Sequence, residues 1–85
     1  MNQAIQFPDV EQWNEDLRAV CFPALTDGFQ VNCAISAVSL TSRYGGETPA
    51  EWLELFRQHR WDLEEEIEPL IAEGQDDDQG WFWLS

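Results

Sequence analysis

Arg57, His59 and Arg60 form the one basic island in a chain of 85 residues that holds four Arg, no Lys and seventeen Asp plus Glu. An arginine fork grips a carboxylate or phosphate through two parallel hydrogen bonds, and histidine exchanges a proton near neutral pH. The trio is therefore a candidate anion site. The same residues also have the spacing of ordinary helix-surface ion pairs, Glu54 with Arg57 and Arg60 with Glu64, each worth a few tenths of a kcal/mol.

A second group is acidic. Nine carboxylates lie between Asp62 and Asp78. Oxygen ligands of this kind suit a hard divalent cation, but Asp76-Asp77-Asp78 lacks the alternating ligand spacing and the distant Glu of a calcium loop. The run also suits a solvated helix face, or a surface that mimics nucleic-acid charge and occupies a basic partner. Glu66, Glu68 and Glu73 crowd the C-terminal half of a helix, where the macrodipole disfavours anions.

A third group is aromatic and apolar. Trp13, Trp81 and Trp83, with Cys21 and Leu25, are a candidate interaction surface, because tryptophan anchors binding hot spots. Core packing is the competing use of such residues in a small domain.

Little here can build a catalyst. There is one His, the spacing of Cys21 and Cys33 fits no metal or redox motif, and Ser36, Ser39 and Ser42 lack a nucleophile elbow. No enzyme and no cofactor are expected. A net charge of −13 opposes any role that must hold phosphates, which sets aside nucleic acid and anionic membranes as partners. Met1 to Asp9 has neither the basic nor the apolar region of a secretory signal. The longest apolar stretch, Ala19 to Leu25, is too short to span a bilayer. A cytoplasmic protein with reduced thiols is expected.

The elements that must position these groups follow from periodicity and punctuation. With 44% hydrophobic and 13% aromatic residues, the chain reads as one folded domain, residues 1–85, with an acidic skin. Ile5 to Phe7 reads as a short strand. Leu17 to Ala24 and Phe29 to Ser36 read as strands joined at Asp27-Gly28, a strong hairpin signal. An even loop there places Val20, Phe22, Ala24, Phe29, Val31, Cys33 and Ile35 on one apolar face. An odd loop would split that set, so burial selects the even loop. In this register Cys33 enters the core and Cys21 points away, which forbids a disulfide. Pro23 lacks a donor and predicts a strand near an edge.

Ala37 to Tyr44 predicts a short helix ended by Gly45-Gly46. Thr48-Pro49-Ala50-Glu51 is a capping box with proline at the first helical position. Helical periodicity then runs to Gly74. A single unbroken helix would set His59 and Arg60 on the apolar stripe and Trp61 in water. A break near Gln58 to Trp61, giving two helices or one with a marked kink, fits better. Asp62 would then cap the second helix, with Glu65 completing its box. Gly80 to Leu84 predicts a last strand, with Trp81 and Trp83 on one face and Phe82 and Leu84 on the other.

Ile5-Gln6-Phe7-Pro8-Asp9, Ala19-Val20-Cys21-Phe22-Pro23, Cys33-Ala34-Ile35-Ser36, Tyr44-Gly45-Gly46, Phe56 to Glu64 and Gly80 to Leu84 together resemble the YrdB-like family of small proteobacterial proteins of unknown function. The resemblance covers nearly the whole chain. It implies an α+β domain with a mainly antiparallel sheet, and it brings no activity and no catalytic residue.

The expected fold is therefore α+β: three N-terminal strands and one C-terminal strand packed against helices. The expected function is a non-enzymatic module that binds a protein partner through its acidic helix surface or its Trp-bearing sheet face. The alternatives are a small-molecule or anion-binding protein using Arg57, His59 and Arg60, and a divalent-metal-binding acidic protein. If helices cover only one sheet face, a homodimer is the simplest way to cover the other.

Overall fold

The computed structural model describes residues 5–85. Strands β1 (Gln12–Asn14), β2 (Ala19–Thr26) and β3 (Phe29–Ser36) are followed by helices α1 (Ala37–Tyr44), α2 (Pro49–Gln58) and α3 (Arg60–Ala72), and then by strand β4 (Trp81–Leu84). The sheet order is β1-β2-β3-β4. The first two pairings are antiparallel and β3 pairs with β4 in parallel. This is the α+β fold expected, with three strands before the helices and one after. Residues 1–4, part of the segment judged not to be a secretory signal, lie outside the described residues.

The β2–β3 loop is even. Thr26 pairs with Phe29 across Asp27-Gly28, and both loop residues have positive φ, 52° and 81°. That is the two-residue turn whose twist matches the flanking strands. Val20, Phe22 and Ala24 consequently face the same side as Ile35, Cys33 and Val31. Phe82 and Leu84, in register with Cys33 and Ile35, extend this face into β4. Leu40, Trp52, Phe56, Leu63, Ile67 and Ile71 from the helices pack on it and complete one core. Phe22 meets Phe56 with ring centroids 4.7 Å apart.

One expectation about the strands is corrected. Ile5 to Phe7 makes only one antiparallel bridge, Gln6 with Leu25. The first strand is instead Gln12–Asn14, ended by Asn14, whose side-chain oxygen accepts from the Leu17 N–H at 3.0 Å. Pro23 sits in β2, one strand in from the β1 edge and so near an edge, at a gap in the pairing. Both main-chain groups of Leu25 bond Gln6, so Pro23, two residues away, turns its nitrogen to the same side, away from β3. The β1 pairing ends at Cys21 and the Gln6 bridge lies at Leu25, so no ladder bond is asked of Pro23.

The helices begin where their caps dictate. Ser36 Oγ accepts from the Ser39 N–H at 3.1 Å and starts α1. Thr48 Oγ1 accepts from the Glu51 N–H at 3.2 Å, while Glu51 reaches back to the Glu47 N–H at 2.7 Å. The run 49–73 is two helices, broken at His59 (φ −110°, ψ 18°). The break falls within the expected stretch from Gln58 to Trp61, but Asp62 is not its cap. Asp62 lies in the first turn of α3, and no side chain caps that helix. Trp61 remains 81% exposed despite the break. Pro69 is accommodated in the last turn of α3. The helix stops in a left-handed cap at Gly74 (φ 67°), with Gln75 N–H bonded to Leu70 O and Gly74 N–H to Ile71 O.

Gly46 is the tightest backbone position between α1 and α2. Its φ is 99°, and a Cβ there would lie 2.9 Å from both the Trp52 and Leu55 side chains. Gly45 shares the positive φ, but an added methyl meets nothing within 4 Å. Gly46→Ala should therefore cost about 2–3 kcal/mol and Gly45→Ala about 1 kcal/mol. Urea unfolding of the two variants checks the order, and equal losses would show that contact with Trp52 and Leu55 adds nothing to backbone strain.

Candidate functional site

The basic island is brought together at the α2–α3 junction, but it is already occupied. Arg57 Nε lies 2.6 Å from Glu11 Oε2, and Arg60 Nη2 bonds the other oxygen of the same carboxylate. Arg60 also lies 3.5 Å from Asp9 and 3.5 Å from Glu64, with its guanidinium over the Phe56 ring at 5.1 Å. Glu11 is 9% exposed and Arg60 14%. The pair therefore interacts where solvent screens it less than at an open surface. Burial pushes the Glu11 carboxyl up, but the hydrogen bonds from Arg57 and Arg60 outweigh it and hold the group below its ordinary 4.5. Burial raises the Glu64 carboxyl instead, against the pull of Arg60. The chain's own carboxylates thus stand where an external anion would bind. His59 takes no part in that network among the described residues. Its ring stacks flat on Tyr44, centroids 3.7 Å apart and planes 2° apart.

The remaining arginines are paired too. Arg43 makes a two-pronged contact with Glu66, at 2.7 and 3.0 Å, and donates to the main-chain oxygen of Ser85. It thereby ties α1 to α3 and to the segment after β4. The Arg43 hydrogen bonds hold the Glu66 carboxyl low. Arg18 lies 3.3 Å from Glu15. The acidic run forms the outer surface of α3 and the loop after it, and the described residues contain no cluster of three or more His, Cys, Asp or Glu that could hold a metal.

The candidate interaction surface divides. Cys21, Trp81 and Trp83 share the sheet face turned away from the helices. Along it Gln12, Cys21, Ala34 and Trp83 form one row across the strands, and Pro23, Asn32 and Trp81 the next. Leu25 has the same parity but sits at the hairpin end, beside Gln30. Trp13 faces the other way. It pairs with Val20 and stacks on Trp52 at 5.2 Å, under the helices. Trp81 and Trp83 pack over Ala19, Cys21 and Ala34, which are all buried. This face therefore finishes itself with its own indoles.

Asp77 holds that arrangement. Its carboxylate accepts from the main-chain N–H of Gln79 and Trp81 at 2.8 and 2.9 Å, and from the Trp83 indole at 2.8 Å. Its own N–H bonds Trp81 O at 2.8 Å. These bonds, the Trp81 N–H first, hold the Asp77 carboxyl below its ordinary value. Both thiols are buried, which pushes Cys21 up to about 11 and Cys33 up to about 12, so neither is a ready nucleophile.

Beside the indoles, a groove of about 580 Å³ crosses the open face. Cys21 and Pro23 are among the residues along its middle, with Gln12 and Asn14 on the β1 side and Asn32 and Trp81 on the other. Sequence reasoning missed these amides because those of β1 and β3 lie far apart in the chain and converge only through pairing with β2. Trp61, which an unbroken helix would set in water, is in water with the helix broken as well, so the break does not serve to bury it.

Removing one half of the ion network tests it. Glu11→Gln should cost about 2 kcal/mol at neutral pH, since it removes the charge that two arginines share and sets an NH2 donor where one of them needs an acceptor. Because the folded carboxyl is depressed, the Glu11 contribution is complete above pH 4.5 and is lost as pH falls through the lower folded value. Urea midpoints between neutral and acidic pH should fall less steeply in Glu11→Gln than in the wild type; parallel curves would refute the assignment. Native Cys21 and Cys33 should react slowly with a thiol reagent in mildly alkaline buffer and quickly in urea, and a fast native phase would contradict their burial.

The fold and this site can be set beside known proteins. The profile of the family described as "Protein of unknown function (DUF1488)" matches residues 5–84. Two proteins named "Uncharacterized protein YrdB", from Escherichia coli strain K12 and Shigella flexneri, are 64% and 63% identical over 84 residues, and each alignment covers 99% of both chains. A crystal structure of a protein of unknown function from Shewanella loihica PV-4, of the same family, matches with a TM-score of 0.90 at 32% identity, over 99% of this chain and 94% of that one. With its sequence matched almost end to end and its sheet and helices superposed on a solved relative, this chain belongs to the DUF1488 family.

Proposed function

We propose that this protein is a non-enzymatic cytoplasmic interaction module whose acidic surface engages a positively charged protein partner. The observation that carries this reading is the pairing of the arginines. Arg18, Arg43, Arg57 and Arg60 each contact a carboxylate of this chain. The charge left facing outward is therefore almost wholly negative, on a chain of net −13. Such a field steers a cationic partner into encounter and rejects anionic ones. Trp61, exposed on the first turn of the acidic α3, offers the kind of large ring that anchors an interface. A non-catalytic role agrees with two buried thiols held in the neutral form and with a single histidine stacked against Tyr44. In the described residues no helix is long and apolar enough to cross a membrane.

Capture from native cell lysate, washed in parallel at about 50 mM and about 300 mM salt, tests the reading. The expected result is a stoichiometric basic protein held at low salt and largely lost at the higher one. Recovery of no partner at either salt, or of one indifferent to salt, would overturn it.

A further inference from the structure

We infer that the groove on the open sheet face seats an extended segment of that basic partner; this deepens the reading above and rests on it. Neighbouring strands lie about 4.8 Å apart, so the path from β1 to β4 is about 14 Å, or about four residues of extended chain. The walls suit such a chain. Gln12, Gln30 and Asn32 border the groove with exposed side chains that make no hydrogen bond among the described residues. A carboxamide offers a donor and an acceptor together, which is what each peptide group requires. The half-exposed Trp81 ring at the far end suits the aliphatic stem and cationic head of Lys or Arg.

Charge selects the occupant. Asp16 and Glu15 border the groove at the β1 end; Arg18 lies 3.3 Å from Glu15, so the rim keeps one carboxylate more than it has cations, and no arginine lines the groove itself. A second copy would bring another net −13 against the first, with little more than Pro8, Val10 and Pro23 as bare apolar lining to offset it, because Trp81 and Trp83 already cover Ala19, Cys21 and Ala34. A cationic segment meets attraction at the rim and, inside, exposed amides that can exchange water for peptide hydrogen bonds.

The test uses a blocked peptide alternating Lys and Thr, with Glu-Thr and Ser-Thr counterparts of equal length, titrated into the isotopically labelled protein at low salt and followed by NMR. The Lys peptide should shift the side-chain amides of Gln12 and Asn32 and the Trp81 indole. Gln12→Lys with Asn32→Lys, both at exposed positions, should weaken it at least about tenfold. Glu68→Gln with Glu73→Gln, the same change of +2 made on and just beyond α3, should weaken it less than about threefold. Equal losses in the two double variants, or shifts confined to α3, would reject the groove and leave the acidic-surface reading standing. No binding of the Lys peptide anywhere would reject both. Equal binding of the neutral peptide, or shifts that track protein concentration alone, would overturn the choice of a basic occupant.

Discussion

The two-residue turn at Asp27-Gly28 decides the rest of the architecture. Because the side chains of a strand alternate strictly, one residue more in that loop would exchange the faces of β3 relative to β2. With two, the large apolar residues of the central hairpin other than Leu25 lie on one side, and the helices have a single surface to cover. The consequence runs outward to β4, whose parallel register with β3 sends Phe82 and Leu84 inward and leaves Trp81 and Trp83 to close the other side. A sheet of four strands with helices on one face thus needs no second layer.

Charge follows a similar economy. Glu11 stands just before the first residue of β1, yet its two oxygens hold Arg57 and Arg60 on either side of the helix break. The break at His59 has no side-chain cap of its own. What fixes the angle between α2 and α3 is instead the clasp from the N-terminal segment, together with the stacking of His59 on Tyr44. Arg43 does the same for α1, α3 and the segment after β4. Three of the four arginines thereby position helices, and the surplus of carboxylates is what the surroundings meet.

Features governed by local chemistry were legible in the sequence. The hairpin register, α1 with its glycine stop, the Thr48 start of α2 and the facing of β4 all follow from turn residues, caps and parity. Features decided at a distance were not. β1 carries one apolar residue between Gln12 and Asn14, so nothing local marks it as a strand; pairing with Ala19 to Cys21 makes it one. Trp13 was grouped with the other indoles because its parity could not be known without that pairing. The Arg57–Glu11 contact spans 46 positions, so the two arginines that read as an anion site in isolation are satisfied within an ion cluster, while His59 turns to Tyr44. Pro23 signalled a missing ladder bond near an edge correctly, and the gap lies within the strand beside that edge.

The bonds that Asp77 makes to both main-chain groups of Trp81 have a consequence for solubility. β4 is an edge strand of four consecutive apolar residues, the composition that recruits like strands from other molecules into amyloid-type ladders. Asp77 fills two of the groups such a ladder would use, and Asp76 and Asp78 set charge on either side of it. The acidic loop therefore serves as a gatekeeper for the most aggregation-prone segment of the chain, and this accounts for its sequence whether or not any partner reads it.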